Sequence, residues 1–217
     1  MREMPAPFLA PRTTLRVGGT AIAEIILERS EDLYLLPDRL KALGGTPLVL
    51  GAGSNILAQD GELPLVLIRP FFSDGPVIVG EHEGKVLVRA GAGVPMARLL
   101  RFCAVNGLSG LEGLVGIPGS VGGAVCMNAG AYGGEICQIC ESVEVMDFDG
   151  KLFRLSNTEM AFSYRHSVLE NRPGIVVSAD FALKKGNPEE IWAKMKELIA
   201  RRIASQPLDI PSAGSAF

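Results

Sequence analysis

Apolar positions recur along this 217-residue chain with two different spacings, and the alternation between them sets the predicted order of elements. Residues 21–27 alternate and then run apolar, the pattern of a strand. Ser30, Glu31 and Asp32 open a helix that runs to Leu43, with Pro37 as a break or second start and Gly44-Gly45 as its end. Residues 47–50 form a short buried strand that feeds directly into Gly51-Ala52-Gly53-Ser54-Asn55, and Ile56-Leu57 continues as strand-like sequence. A second segment starts near Phe71. Residues 77–79 and 85–88 pair as a hairpin around Glu83-Gly84. Residues 94–106 have helical spacing, with Met96, Leu99, Leu100 and Cys103 on one face and Gly107 as the stop. Residues 136–146 read as a strand that turns at Asp149-Gly150 into 151–153. Ser156 and Glu159 form a capping box for a short helix, and 175–183 is a further strand. Asn187 caps a helix with Pro188 at its first position. That helix carries an apolar stripe of Ile191, Met195, Leu198, Ile199 and Ile203, with Lys194, Lys196, Arg201 and Arg202 on a solvated face.

Composition narrows the class. The net charge is −3 and no dense Lys/Arg run occurs, so a nucleic-acid partner is not expected. No apolar run approaches the length of a membrane span, and 1–5 lack the apolar stretch of a signal peptide; no membrane association and a cytoplasmic location are expected. The four cysteines, Cys103, Cys126, Cys137 and Cys140, include one C-x-x-C pair. With only His82 and His166 as histidines, they read as reduced thiols in half-buried positions rather than a zinc site.

The 26 glycines fall in clusters, and two clusters have the chemistry to cradle phosphate. The first is Gly51 to Asn55. Ile56 stands where a Rossmann fingerprint needs its third glycine, and no Walker lysine follows. What remains is a turn whose N–H groups can face an anion, with Ser54 and Asn55 as side-chain donors; a plain tight turn reads equally well. The second cluster is Gly116-Ile117-Pro118-Gly119-Ser120-Val121-Gly122-Gly123-Ala124, which suits a diphosphate at a helix start, or glycines packing a helix on a sheet. Asn128-Ala129-Gly130-Ala131-Tyr132-Gly133 follows, small residues around one aromatic, as a flat ligand requires.

Arg12-Thr13-Thr14-Leu15-Arg16-Val17-Gly18-Gly19, the Gly51 loop, 116–124, 128–133, Tyr164-Arg165-His166-Ser167 and Gly214-Ser215 together resemble, in order and spacing, the UDP-N-acetylenolpyruvoylglucosamine reductases (MurB). The resemblance implies an α+β fold of the vanillyl-alcohol-oxidase type. Two FAD-binding subdomains, 1–70 and 71–186, would hold the cofactor between them, and 187–217 would be a linker helix and the start of a substrate domain. It implies FAD held non-covalently, no histidine lying near Gly51, and NADPH as co-substrate. Gly51, Ala52, Gly53, Ser54 and Asn55, with Gly116, Pro118, Gly119, Ser120, Gly122 and Gly123, would hold the diphosphate. Asn128, Gly130, Ala131 and Tyr132 would line the flavin. Arg165 would grip the carboxylate of a UDP-sugar enolpyruvyl ether beside Tyr164, and Ser215 would be the proton donor. A monomer is expected. The family pattern continues past Gly214-Ser215 with a glutamate that no residue here matches, so a flavin-binding chain without catalysis stays open, as does another flavin oxidase of this fold.

Overall fold

The computed structural model describes residues 1–206 and 210–212. Two sheets and four helices make up most of it. The first sheet contains β1 (Arg2–Pro5), β2 (Thr20–Leu27), β3 (Thr46–Val49) and β4 (Glu62–Pro70), in the order β1-β2-β4-β3. The β2, β4 and β3 strands run parallel, and β1 is antiparallel to β2. Parallel strands need a crossover: a 3-10 segment, Ser30–Leu35, and α1 (Leu36–Leu43) carry the chain from β2 to β3, which lie on either side of β4. The helix predicted from Ser30 is thus split in two. Pro37, which cannot continue a hydrogen-bonded turn, sits in the first turn of α1. The capping position is Arg29 rather than Ser30, and Asp32 in the first turn reaches back to it: its Oδ2 accepts from the Glu28 and Arg29 amides at 2.8 and 3.1 Å.

The second sheet is antiparallel. It holds β5 (Val77–His82), β6 (Lys85–Gly91), β10 (Cys140–Asp147), β11 (Leu152–Ser156) and β12 (Gly174–Lys185), in the order β11-β10-β12-β6-β5, with β7 (Leu108–Ser109) on the far end of β12. A small ladder joins β8 (Gly130–Ala131) to β9 (Gly134–Glu135). The remaining helices are α2 (Met96–Val105), α3 (Val121–Cys126) and α4 (Pro188–Ser205). On α2 the predicted face is the buried one: Met96, Leu99, Leu100 and Cys103 are at most 3% exposed. Each such aliphatic side chain stabilises by roughly 1.5–3 kcal/mol.

One apolar core joins the two sheets, with Ile25, Leu27 and Ile68 in the same cluster as Val88, Val145 and Phe181. Three expectations change. Ile56-Leu57 is irregular, and the strand next to it is β4, which begins at Glu62. Residues 136–138 form a 3-10 turn, so β10 begins only at Cys140. Ser156 and Glu159 do make the reciprocal bonds of a capping box, but the segment after them is a turn, not a helix. All four cysteines are free.

Candidate functional site

Strand β3 ends at Val49, and the chain then turns through the first glycine loop. The Leu50 amide still donates to the Ile68 carbonyl at 2.8 Å, but among the described residues none of the five amides of 51–55 donates to a protein group. Such a run of unspent N–H groups is what an anion requires of a loop. The loop is held from behind by the Arg12-Thr13-Thr14 segment. The Thr14 amide donates to the Gly53 carbonyl at 3.0 Å, and a Cβ on Gly53 would stand 2.1 Å from the Arg12 carbonyl oxygen. Arg12 in turn is paired with the buried Glu24, which also accepts from Arg69 at 3.3 Å. Burial opposes ionisation of Glu24, but the two guanidinium groups outweigh it and keep its carboxyl below the usual range.

The second loop meets the first. Ser54 Oγ donates to the Pro118 carbonyl at 2.9 Å, and a Cβ on Gly51 would lie 2.6 Å from Ser120 Oγ. Ser120 caps α3, accepting from the Gly123 amide at 3.4 Å. The Val121 and Gly122 amides go to Val94 and Ala92, both at 2.9 Å. Gly122 is therefore a packing glycine, its absent Cβ making room for Ala92 at 2.9 Å. The amides of Gly119 and Ser120, like those of 51–55, make no protein hydrogen bond among the described residues.

Beyond α3 lies a cleft of about 200 Å³, lined by Asn128, Gly130, Ala131, Glu135, Tyr164 and Arg165, among others. Tyr164 and Arg165 form the apex of a two-residue turn. Ser163 and His166 close it by reciprocal bonds of 3.1 and 3.2 Å, and Arg165 has φ +55°. Both side chains are exposed, and the Arg165 Cζ lies 5.7 Å from the Tyr164 ring centroid. Ala52 and Asn55 are exposed at the first loop, and Gly116 and Gly123 at the second. Ser215 lies outside the described residues.

Arg201 and Arg202 do not belong to a merely solvated face. Their Cζ atoms lie 5.2 and 5.7 Å from the Tyr132 ring centroid, as cation–π contacts. Arg202 also packs against Gly116, where a Cβ would meet its Cδ at 2.8 Å and Nε at 2.9 Å. Its Nη1 donates to Gln206 at 3.1 Å, but among the described residues the buried Nε has no partner. A buried donor left unpaired by the described residues calls for an acceptor from elsewhere, such as a bound ligand. Helical periodicity alone could not have located it, since it faces the Gly116 loop, far earlier in the chain.

A dinucleotide cofactor fits these features: amides across two touching loops and a buried guanidinium donor that the described residues leave unpaired, and a shallow cleft lined by small residues. The FAD binding domain family matches residues 39–156. Among curated relatives, the UDP-N-acetylenolpyruvoylglucosamine reductase of Nitratidesulfovibrio vulgaris is 46% identical, covering all of this chain and 74% of that protein. That of Thermotoga petrophila is 41% identical over 96% of this chain and 71% of its own. The crystal structure of the Thermus caldophilus MurB superposes with a TM-score of 0.80 at 39% identity, over all of this chain and 74% of that one. A solvent-stable cholesterol oxidase superposes at 0.60 with 14% identity over 80% of this chain and 37% of its own, a likeness of fold alone. The chain belongs to the UDP-N-acetylenolpyruvoylglucosamine reductase family, oxidoreductases, and carries an FAD-binding domain of the fold that the sequence implied.

Proposed function

We propose that the chain reduces a UDP-N-acetylglucosamine enolpyruvyl ether at the expense of NADPH, a step of peptidoglycan synthesis, as a cytoplasmic monomer with FAD held non-covalently between subdomains 1–70 and 71–186. The observation that carries the reading is that the amides of Gly51 to Asn55 and of Gly119-Ser120 donate to none of the described residues, the two loops being joined by the Ser54–Pro118 bond. These groups suit the diphosphate of a dinucleotide. FAD, when bound, supplies the hydride-carrying centre. The protein's part is to hold the substrate and handle charge. Arg165, exposed at the apex of its turn, is the group to grip the enolpyruvyl carboxylate. The same guanidinium offsets the negative charge that builds at C2 when hydride reaches C3. A proton at C2 completes the saturation of the double bond, and the family pattern assigns that proton to Ser215.

Reconstitution with FAD tests the proposal. The expected result is a bound flavin that is released on denaturation, and NADPH consumption that requires the enolpyruvyl ether. Flavin that stays attached after denaturation, or NADPH consumption indifferent to the enolpyruvyl ether, would overturn it in favour of another flavin oxidase.

A further inference from the structure

Asn128 enters from the sequence as a residue lining the flavin, yet its amide is already committed to protein. The side chain is buried, 2% exposed. Its Nδ2 donates to the Ser163 carbonyl and to Glu135 Oε2, both at 3.0 Å, while Oδ1 accepts from the Cys137 amide at 2.9 Å. The backbone sits at φ +40°, in the left-handed region that asparagine tolerates better than most side-chain-bearing residues. Ser163 is one foot of the turn whose apex is Tyr164-Arg165. The other flank ends at Ser167, wholly buried, whose Oγ donates to the Cys126 carbonyl at 2.7 Å. The reciprocal Ser163–His166 bonds fix the shape of the turn. They do not fix where the turn stands relative to the cleft.

We infer that Asn128 and Ser167 are positioning residues, a two-point clamp that fastens the Arg165 turn to the end of α3 and so sets where the guanidinium meets the substrate carboxylate. The inference rests on the proposed role of Arg165. A charge-assisted pair loses much of its strength when the cation is displaced, because bidentate geometry is demanding. Two buried side-chain bonds are the means by which an exposed arginine can be held to one place without touching it.

A double-mutant cycle on the FAD-saturated full chain tests this, with calorimetric titration of UDP-N-acetylglucosamine enolpyruvate as the readout. Asn128→Gly keeps the backbone conformation and removes the amide. Asn128→Asp keeps the shape, removes both donors and sets a second carboxylate beside Glu135. Each is expected to weaken substrate binding about tenfold, with FAD affinity and the flavin spectrum unchanged. In an Arg165→Ala background, Asn128→Gly is expected to add less than about twofold, since its effect passes through the missing guanidinium. Effects that simply add would overturn the clamp and leave Arg165 in place. Loss of FAD on Asn128→Gly would overturn it in favour of direct flavin contact. If Arg165→Ala binds as tightly as the unchanged chain, or the unchanged chain gives no binding heat, the reading of Arg165 falls and the clamp with it. Ser167→Ala carries the same cycle should Asn128→Gly fail to fold.

Discussion

Replacing Gly53 by alanine separates two costs that a glycine can conceal. Gly53 has φ +65°, and an added Cβ would lie 2.1 Å from the Arg12 carbonyl oxygen and 2.9 Å from the Thr13 Cα. The left-handed backbone alone costs about 1–2 kcal/mol with a side chain. The overlap is with backbone, so no rotamer relieves it; Arg12-Thr13 must move by roughly an ångström to reach van der Waals contact. That shift strains the 3.0 Å Thr14–Gly53 bond, worth about 1 kcal/mol, and the Arg12–Glu24 pair behind it. The sum is about 3 kcal/mol, and it falls on the loop that presents the open amides. Gly84→Ala is the control: φ is +75°, and nothing lies within 4 Å of the added methyl, in a hairpin turn of the second sheet. Urea unfolding should show a loss of about 1–2 kcal/mol for Gly84→Ala, from backbone strain alone. FAD affinity, measured by flavin fluorescence, should be unchanged there and fall more than about tenfold for Gly53→Ala. Equal stability losses in the two variants, or Gly53→Ala protein with undiminished FAD affinity, would refute the reasoning.

Arg202→Met should weaken FAD binding about tenfold while moving the apo-protein's unfolding midpoint little, because the buried Nε bonds to none of the described residues; a large drop in apo stability would show a structural role. Asp180 accepts from Arg89 at 2.7 and 2.8 Å and from Arg154 at 2.8 Å; burial opposes its ionisation, but the two guanidinium groups outweigh it and hold the carboxyl below the usual range. Its stabilisation is therefore complete above the unfolded value of about 3.9 and lost as pH falls through the lower folded value. Asp180→Asn should cost about 3 kcal/mol at neutral pH and flatten the fall in stability below about pH 4, read by urea unfolding across pH. Burial pushes the Cys103 and Cys140 thiols up to about 12, so a maleimide at neutral pH should spare both in the folded protein and label both after denaturation, as mass spectrometry would report.

Much of the scaffold was legible because its faces are one-sided. The apolar face of α2 and the hairpin of β5 and β6 follow from periodicity, and the buried side of α2 is the predicted one. Strand β4 was not legible for the opposite reason. It lies between β2 and β3, Val66, Leu67 and Ile68 are all fully buried, and a strand covered on both faces shows no alternation. Strand β1 lies at the exposed edge of its sheet and ends on a proline, with Met4 as its one large apolar side chain, which leaves no alternation to read. At the site, glycine spacing marked both loops, since open backbone needs a missing side chain. It could not say that Val121 and Gly122 spend their amides on Val94 and Ala92. Nor could it place Arg202 against Gly116 or Asn128 against Ser163, because those meetings exist only once the chain has folded.

Helix α3 has six residues, about 9 Å of rise. Ser120 stands at one end of it, and the Cys126 carbonyl and Asn128 stand at the other. The proposed grip on a diphosphate and the inferred mounting of Arg165 thus share one strut shorter than two helical turns. For an engineer, residues 116–137 are then a single cassette. On the proposed reading, a change that shifts the helix from its front end carries the Arg165 mounting with it, so redesign of the front has to be checked at the rear.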